Sequence, residues 1–340
     1  MQRAVIHADG HSKNSMFSGD SSVHRFYPNY IGSALKKSFH QHGIDLNTTD
    51  MHQGGVPAFD LVCEGQANLR LQSGRPYLLA LENPYLNQLN RDHDYLRQFI
   101  KIFTWDKANF SLPFAIQIRI PWSMSYENTI TDGDRALFSC MVNSNKNFKE
   151  SIKGNLYSER IQIIRFFEKN YPSKFNLYGF GWEKPPRYPG PFGHLRRQIN
   201  RAWLTLQGLP AFPSYQGSVE DKLEIYRQHK FAFCYENIDG LDNYVTEKIF
   251  DALRAGCIPI YKGARNVADI VPKECFIDAR NYSDLQSLYR FLDNLKRPDI
   301  LQFQRSGKAF LEHATASVLD VRLFADHVAS IIVKDLERNG

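Results

Sequence analysis

Between Asn237 and Lys248 the chain places an amide, a phenol, a carboxylate and an ammonium group in one short span, interleaved with Asp239, Gly240 and Asp242. The apolar run 231–235 before it reads as a buried strand ending at Glu236-Asn237. After the polar loop a helix starts near Thr246. Ile249, Phe250 and Leu253 lie on its buried face at helical spacing, and Gly256 ends it before a second apolar strand. Ligands of open parallel sheets bind beyond the carboxyl ends of the strands, and a helix starting there points free N–H groups that suit phosphate. Lys248, in the first turn, adds a full positive charge. Glu247, about 100° around the helix from it, can accept hydrogen bonds from a ribose diol, and Tyr244 can contact sugar or phosphate. The same residues also fit a structural role, because a first-turn carboxylate complements the helix dipole and a neighbouring lysine is commonly solvated.

The elements that would position these groups alternate as in an α/β protein. Residues 3–6, 59–63, 77–81 and 100–104 read as strands, with another between Pro113 and Pro121, and 33–41 and 85–97 read as helices. The polar stretch 127–135 interrupts the pattern and divides the chain into residues 1–132 and 133–340. Beyond it, 136–143, 175–178, 230–235 and 257–261 read as strands. Helices are expected at 158–170 (with Ser158 as N-cap), 194–207, 220–229, 246–255, 283–294 and 318–336. The last of these carries Leu323, Val328, Ile331, Ile332 and Leu336 on one apolar face and is expected to pack back on the N-terminal domain. Residues 182–217, rich in proline, aromatics and arginine, read as a long surface excursion of the kind that forms binding loops or lids.

Composition narrows the class. The chain has 340 residues, 43% hydrophobic and 13% aromatic, enough for two packed cores. Its net charge of +6 fits an enzyme handling anionic nucleotide-sugars near an anionic membrane surface, and equally a slightly basic soluble protein. No nucleic-acid-binding motif is present, so nucleic acid is not an expected partner. The five cysteines form no CxxC pair and read as buried thiols of a reducing compartment. The start MQRAVIHADG has no long apolar region, and no run approaches the length of a membrane span. The expected location is therefore cytoplasmic, with peripheral contact at the inner membrane of a bacterial-type cell.

The segment ENIDGLDNYVTEKIFDALRAGCIPIYKG resembles the donor-binding signature of the α1,3/α1,4-fucosyltransferases, glycosyltransferase family 10. That pattern runs F-E-N, a short loop, Y-[VI]-T-E-K, an amphipathic helix and a P-[IV] strand. Tyr235 stands where it has its Phe. Met141-Val142-Asn143-Ser144-Asn145 resembles the opening strand of the same domain. The helix beginning Ser158-Glu159-Arg160 and the strand at Leu177-Tyr178-Gly179 follow in order, so the likeness covers most of 136–295. It implies an α/β fold of the GT-B type, two Rossmann-like domains with the active site in the cleft between them. It also implies inverting transfer of L-fucose from GDP-fucose to a hydroxyl of an oligosaccharide or glycolipid acceptor, by default α1,3 or α1,4 to GlcNAc or Glc. Protein glycosylation and lipopolysaccharide or glycan biosynthesis are the processes it suggests. Arg160 and Lys248 would bind the GDP phosphates, and Glu247, Tyr244 and Asn237 the ribose, phosphate or fucose. Arg165 is the alternative to Arg160 if the register shifts. The loop 237–244 varies in length across the family, which leaves Asp239 and Asp242 without a role.

Inverting transfer needs a carboxylate to take the proton of the attacking hydroxyl and positive charge on the departing diphosphate. Glu82 is the chosen base. It follows the apolar run 77–81 at a strand terminus, in a Leu81-Glu82-Asn83-Pro84 segment like that of the family's proposed base. Glu64, after the strand 59–63, is the runner-up. No cofactor is expected, with a divalent metal stimulatory at most. The two Asp-x-Asp pairs, Asp92-His93-Asp94 and Asp132-Gly133-Asp134, read as structural because neither follows a strong hydrophobic strand. A relative using another nucleotide-sugar donor, and a non-catalytic carbohydrate- or nucleotide-binding protein, are the competing readings.

Overall fold

The computed structural model describes residues 1–18, 28–126, 135–314 and 317–338, without the side chains of 28–30. It contains two compact units, Met1–Met124 with His313–Gly340, and Ser125–Glu312. The expected boundary at 132 lies outside the described residues. The tail His313–Gly340 clusters with the first unit, whereas the sequence division numbers it with the second.

The first unit is built on a six-stranded sheet of β1 (Gln2–Ala8), β2 (Ile44–Thr48), β3 (Asp60–Cys63), β4 (Pro76–Ala80), β5 (Lys101–Thr104) and β6 (Ala115–Gln117). All neighbours are parallel and the order is β2-β1-β3-β4-β5-β6. Every residue of β4 is buried. A parallel strand covered on both faces reads as such a continuous apolar run. Helix α1 (Pro28–Gln41) packs with α9 (Val321–Arg338) on this sheet, bringing Leu35 and Phe39 against Phe324, Val328 and Ile332. Ser38 Oγ donates to Asp326 at 2.7 Å and the Tyr77 hydroxyl to Asp335 at 3.0 Å, which ties the tail helix to the unit. Of the expected apolar face, Val328, Ile331, Ile332 and Leu336 pack on this core, and Leu323 does not. Phe324 is buried, and Leu323 is 37% exposed.

The second unit carries β7 (Leu137–Val142), β8 (Phe175–Tyr178), β9 (His229–Tyr235), β10 (Ile258–Lys262) and β11 (Ile277–Asp278) in the order β11-β10-β9-β7-β8, again all parallel. Its helices are α3 (Leu156–Asn170), α4 (Gly193–Gln207), α5 (Lys222–Gln228), α6 (Glu247–Arg254) and α7 (Leu285–Asn294). Helix α8 (Arg297–Ala314) belongs to it up to Glu312. Phe167, Phe175, Phe231, Phe233, Ile258 and Ile260 lie at the centre of its core. In each unit the strand order reverses at its first strand, between β1 and β3 and between β7 and β9. Such a switch point opens a crevice at the carboxyl edge of a doubly wound sheet.

Three local expectations change. Residues 85–97 do not form one helix. A 3-10 turn at Gln88–Arg91 and the one-turn helix α2 (His93–Leu96) replace it. The Asn90 side chain is drawn inward to Gly65 N and Glu64, and Asp92 restarts the helix as its cap, so the run is broken twice. Helix α3 begins at Leu156 with Asn155, not Ser158, as its cap, because Asn155 Oδ1 accepts Tyr157 N at 3.0 Å. Strand β2, too short and polar to register as apolar alternation, and helix α8 were not anticipated.

Candidate active site

At the switch point of the second unit, β9 delivers Glu236 and Asn237 and β7 leads through residues 143–155 into α3. The backbone of the two segments is stitched directly. Leu156 N donates to Asn237 O at 3.2 Å and Asp239 N to Gly154 O at 2.8 Å. From α3, Arg160 reaches across with Nη2 donating to Tyr235 O at 2.6 Å, Glu236 O at 2.8 Å and Asn237 Oδ1 at 3.0 Å. Its guanidinium lies 4.7 Å from the centre of the Tyr157 ring, and its Nε is buried without a hydrogen-bond partner. Burial pulls the Arg160 pKa down, yet guanidinium stays charged in proteins. Arg160 thus brings a fixed cation to the strand end and orients Asn237. Arg165 is committed elsewhere, to Glu168 at 2.6 Å and to Ala211 O at 2.8 Å.

The loop after Asn237 returns through Asn243, whose φ of 67° is the left-handed region. Asn243 N is held there by Asn266 Oδ1 at 2.8 Å. Tyr244 is buried, with its hydroxyl 3.5 Å from Asn237 Nδ2. Helix α6 then starts, and here sequence reasoning missed two residues. Glu236 is fully buried and accepts Thr246 N at 2.8 Å, Thr246 Oγ1 at 2.8 Å and Lys248 Nζ at 3.0 Å. Lys248 Nζ also donates to Thr246 Oγ1 at 2.8 Å and to Glu247 Oε1 at 3.3 Å. Because the Thr246 hydroxyl is turned to Glu236, no side chain caps the α6 N-terminus. The available signal was a glutamate closing a wholly apolar strand, a position where an unpaired charge is costly and a partner is therefore required.

The electrostatics follow from one cation between two carboxylates. Burial alone would lower the Lys248 pKa, but Glu236 and Glu247 hold it above the ordinary lysine value. Burial raises Glu236 against the opposing pull of Lys248. Burial would also raise Glu247, but Lys248, Lys222 and the Thr246 hydrogen bond bring it down to about 2. Gly263 makes room for this triad. A Cβ there would sit 2.5 Å from Glu236 Cγ and 2.7 Å from the Tyr261 hydroxyl. Arg160, Asn237, Tyr244, Glu247 and Lys248 are therefore brought together, with Glu236 and Thr246 beneath them. Asp239 contributes a backbone tie to the loop.

Glu82 lies in the other unit, just past β4. Its Oε1 accepts Asn83 N and Asn83 Nδ2, both at 2.8 Å. Glu64, just past β3, has a left-handed φ of 65° and points its carboxylate at the same strand end. It accepts Leu81 N at 3.2 Å, Glu82 N at 3.0 Å and Asn90 Nδ2 at 2.6 Å. Burial, aided by the Glu82 charge, pushes Glu64 up to about 7. Of the Asp-x-Asp pairs, Asp92 caps α2 and Asp94 pairs with Arg97, while Asp132 and Asp134 lie outside the described residues. Among the described residues no group of three or more His, Cys, Asp or Glu is placed to hold a metal.

Two doubly wound parallel sheets of this order have the GT-B-type fold. The fold is shared over 98% of this chain and 89% of the partner with a crystal structure of an α1,3-fucosyltransferase, at a TM-score of 0.53 and 12% identity. Residues 207–304 match the family model described as glycosyltransferase family 10 (fucosyltransferase) C-term. An α-(1,4)-fucosyltransferase of Arabidopsis thaliana is 42% identical over 67 residues, 20% of this chain and 16% of that protein. A GDP-fucose protein O-fucosyltransferase 3 of Xenopus laevis is 35% identical over 82 residues, 24% and 17% of the two chains. The chain thus spans about a sixth of the length of these relatives. Over this segment the chain is similar to glycosyltransferase family 10. Glu236, Asn237, Tyr244, Thr246, Glu247 and Lys248 all fall inside the matched residues.

Proposed function

We propose that this protein transfers L-fucose from GDP-fucose to a hydroxyl of a glycan acceptor, with inversion at the anomeric carbon. The observation that carries the reading is Lys248, held charged between Glu236 and Glu247 at an uncapped helix N-terminus. That combination is suited to the charge that develops on a departing nucleoside diphosphate. The donor is supported by the fucosyltransferase family model that matches this segment and by the name of a relative, a GDP-fucose protein O-fucosyltransferase. In the proposed reaction the acceptor oxygen forms the new bond to the anomeric carbon as the bond to the diphosphate breaks. The acceptor proton passes to Glu82, and GDP leaves with its charge met by Lys248 and the field of Arg160. Asn237, Tyr244 and Glu247 hold the ribose and the sugar. We assign no metal to the diphosphate. The acceptor we favour is GlcNAc or Glc at its 3- or 4-hydroxyl, on a surface glycan or glycolipid, made in the cytoplasm.

A second reading of the base rests on one observation. Glu64 titrates near the pH at which a general base works best, although its oxygens are already filled by backbone and Asn90 donors. Titration calorimetry with GDP, UDP and GDP-mannose, with and without EDTA, tests the donor site. We expect GDP to bind at least about tenfold more tightly than UDP, regardless of EDTA, and GDP-fucose to be turned over. Equal affinity for UDP, or binding lost to EDTA, overturns the donor assignment. Glu82→Gln is expected to lower kcat by about 100-fold or more with donor affinity kept. An unchanged kcat in Glu82→Gln with loss in Glu64→Gln transfers the role to Glu64.

A further inference from the structure

The long excursion between β8 and α5 is independent of the donor site. Its helix α4 touches the body of its unit through one narrow side, where Gly193 is buried and Arg197, Asn200 and Leu204 are half-buried. The opposite side is apolar. Phe192, Leu195, Ile199, Trp203 and Leu206, with Leu209 just beyond the helix, are 52% to 81% exposed. At 3.6 residues per turn the first five share a stripe about 80° wide. Phe192, Leu195, Ile199 and Trp203 line an open groove of about 520 Å³ together with Tyr188, Arg196 and Asn200. A contiguous apolar face on a helix marks a docking surface, whereas scattered single residues do not.

Charge selects the occupant. The excursion 182–217 contains Lys184, Arg187, Arg196, Arg197 and Arg201 against one acidic residue, Glu183, which lies 3.4 Å from Lys184. This stretch therefore carries a net charge of +4 within a chain of net +6. Arg196 lies beside the stripe with its guanidinium 4.1 Å from the Tyr188 ring centre, where it can stay at a wet boundary while the ring goes deeper. A second copy of the chain would bring two such basic stretches together. A neutral sugar would leave both the charge and most of the apolar stripe unused. We infer that α4 lies flat on an anionic lipid bilayer, with Phe192, Leu195, Ile199, Trp203 and Leu206 in the acyl boundary and, on the headgroups, Arg196 beside the stripe and Arg187 next to Tyr188. The helix lies on the surface and does not span, and among the described residues no helix is long and apolar enough to cross a membrane.

The test is vesicle flotation of the full chain, read together with tryptophan emission. Trp105, Trp122 and Trp182 are buried and Trp203 is 54% exposed, so a blue shift reports on the stripe. The expected result is partition onto phosphatidylglycerol-containing vesicles with a blue shift, little partition onto pure phosphatidylcholine, and release by high salt. Leu195→Gln/Ile199→Gln/Trp203→Gln should reduce the partition coefficient by at least about tenfold, and Arg187→Gln/Arg196→Gln should weaken binding to anionic vesicles only. These exposed substitutions should leave the melting temperature and GDP binding of the wild type in place, which separates this outcome from failure of the donor site. Absence of partition, partition indifferent to the triple variant, or a stripe-dependent dimer in light scattering overturns the proposal.

Discussion

Replacing Lys248 by Met separates the two tasks of the triad. In the structure its ammonium is 3.0 Å from the fully buried Glu236 and 3.3 Å from Glu247. Its removal leaves two carboxylates facing one another without a cation. Breaking a buried ion pair by deleting one partner costs about 3–5 kcal/mol. For a unit of this size each kcal/mol is worth roughly 2–4 °C, so Lys248→Met should melt about 6–20 °C below the wild type. Substituting Glu236 by Gln in the same chain removes the orphaned charge, and since neutral replacements of buried pairs are often near-neutral, most of the loss should return. GDP affinity should not return. A lost charge-assisted contact of about 2 kcal/mol corresponds to roughly thirtyfold in Kd. Calorimetric melting and GDP titration on the single and double variants read both quantities. A Lys248→Met protein that melts like the wild type refutes the triad as a stability element. A double variant that binds GDP like the wild type refutes Lys248 as a phosphate group.

The same cluster predicts a pH dependence. Glu247 is depressed to about 2, so its contribution is complete above its unfolded value of about 4.3 and is lost as pH falls toward 2. Lys248 is raised, so its contribution is complete below about 10.4 and is lost only above it. Melting across acid pH should show the first loss in wild type and not in Glu247→Gln. Glu64 behaves oppositely. Raised to about 7, it stabilises fully below about 4.3 and less as pH rises through 7, by an amount of the order of 2 kcal/mol after allowing for partial exposure. Thermal melts at pH 5 and 8 should therefore differ in wild type and be nearly level in Glu64→Gln, whatever its baseline. Gly263→Ala pushes a methyl into Glu236 and the Tyr261 hydroxyl. It should cost about 1–3 kcal/mol in a urea melt, and an unchanged midpoint would show that the triad has slack.

Much of the fold was legible because its sheets are parallel and buried. The runs 77–81, 175–178 and 230–235 are too apolar and too short to be anything but core strands, and each lies within one residue of its observed bounds. The grouping of Asn237, Tyr244, Glu247 and Lys248 was legible because one short loop leads from the strand end into the helix N-terminus that carries the last two. Glu236 was not, since nothing local distinguishes a strand-end glutamate that waits for a lysine 12 positions later from one facing water. The network joining Glu64, Asn90 and the strand end at Glu82 was hidden for the same reason. It depends on β3 lying beside β4, a long-range fact, and on a left-handed Glu64 that no propensity favours. The helix expected at 85–97 failed because Asn90 is drawn to that network, so tertiary hydrogen bonds overrode local periodicity.

The claim at the centre of this account is fucosyl transfer, and an acceptor array with GDP-fucose tests it most directly. Each product should be isolated and its linkage and anomeric configuration read by NMR. The account predicts a fucosylated product of inverted configuration, linked to the 3- or 4-hydroxyl of GlcNAc or Glc, formed by the wild type and lost in Lys248→Met/Glu236→Gln. Retained configuration, or no product on any acceptor while GDP still binds, would contradict it.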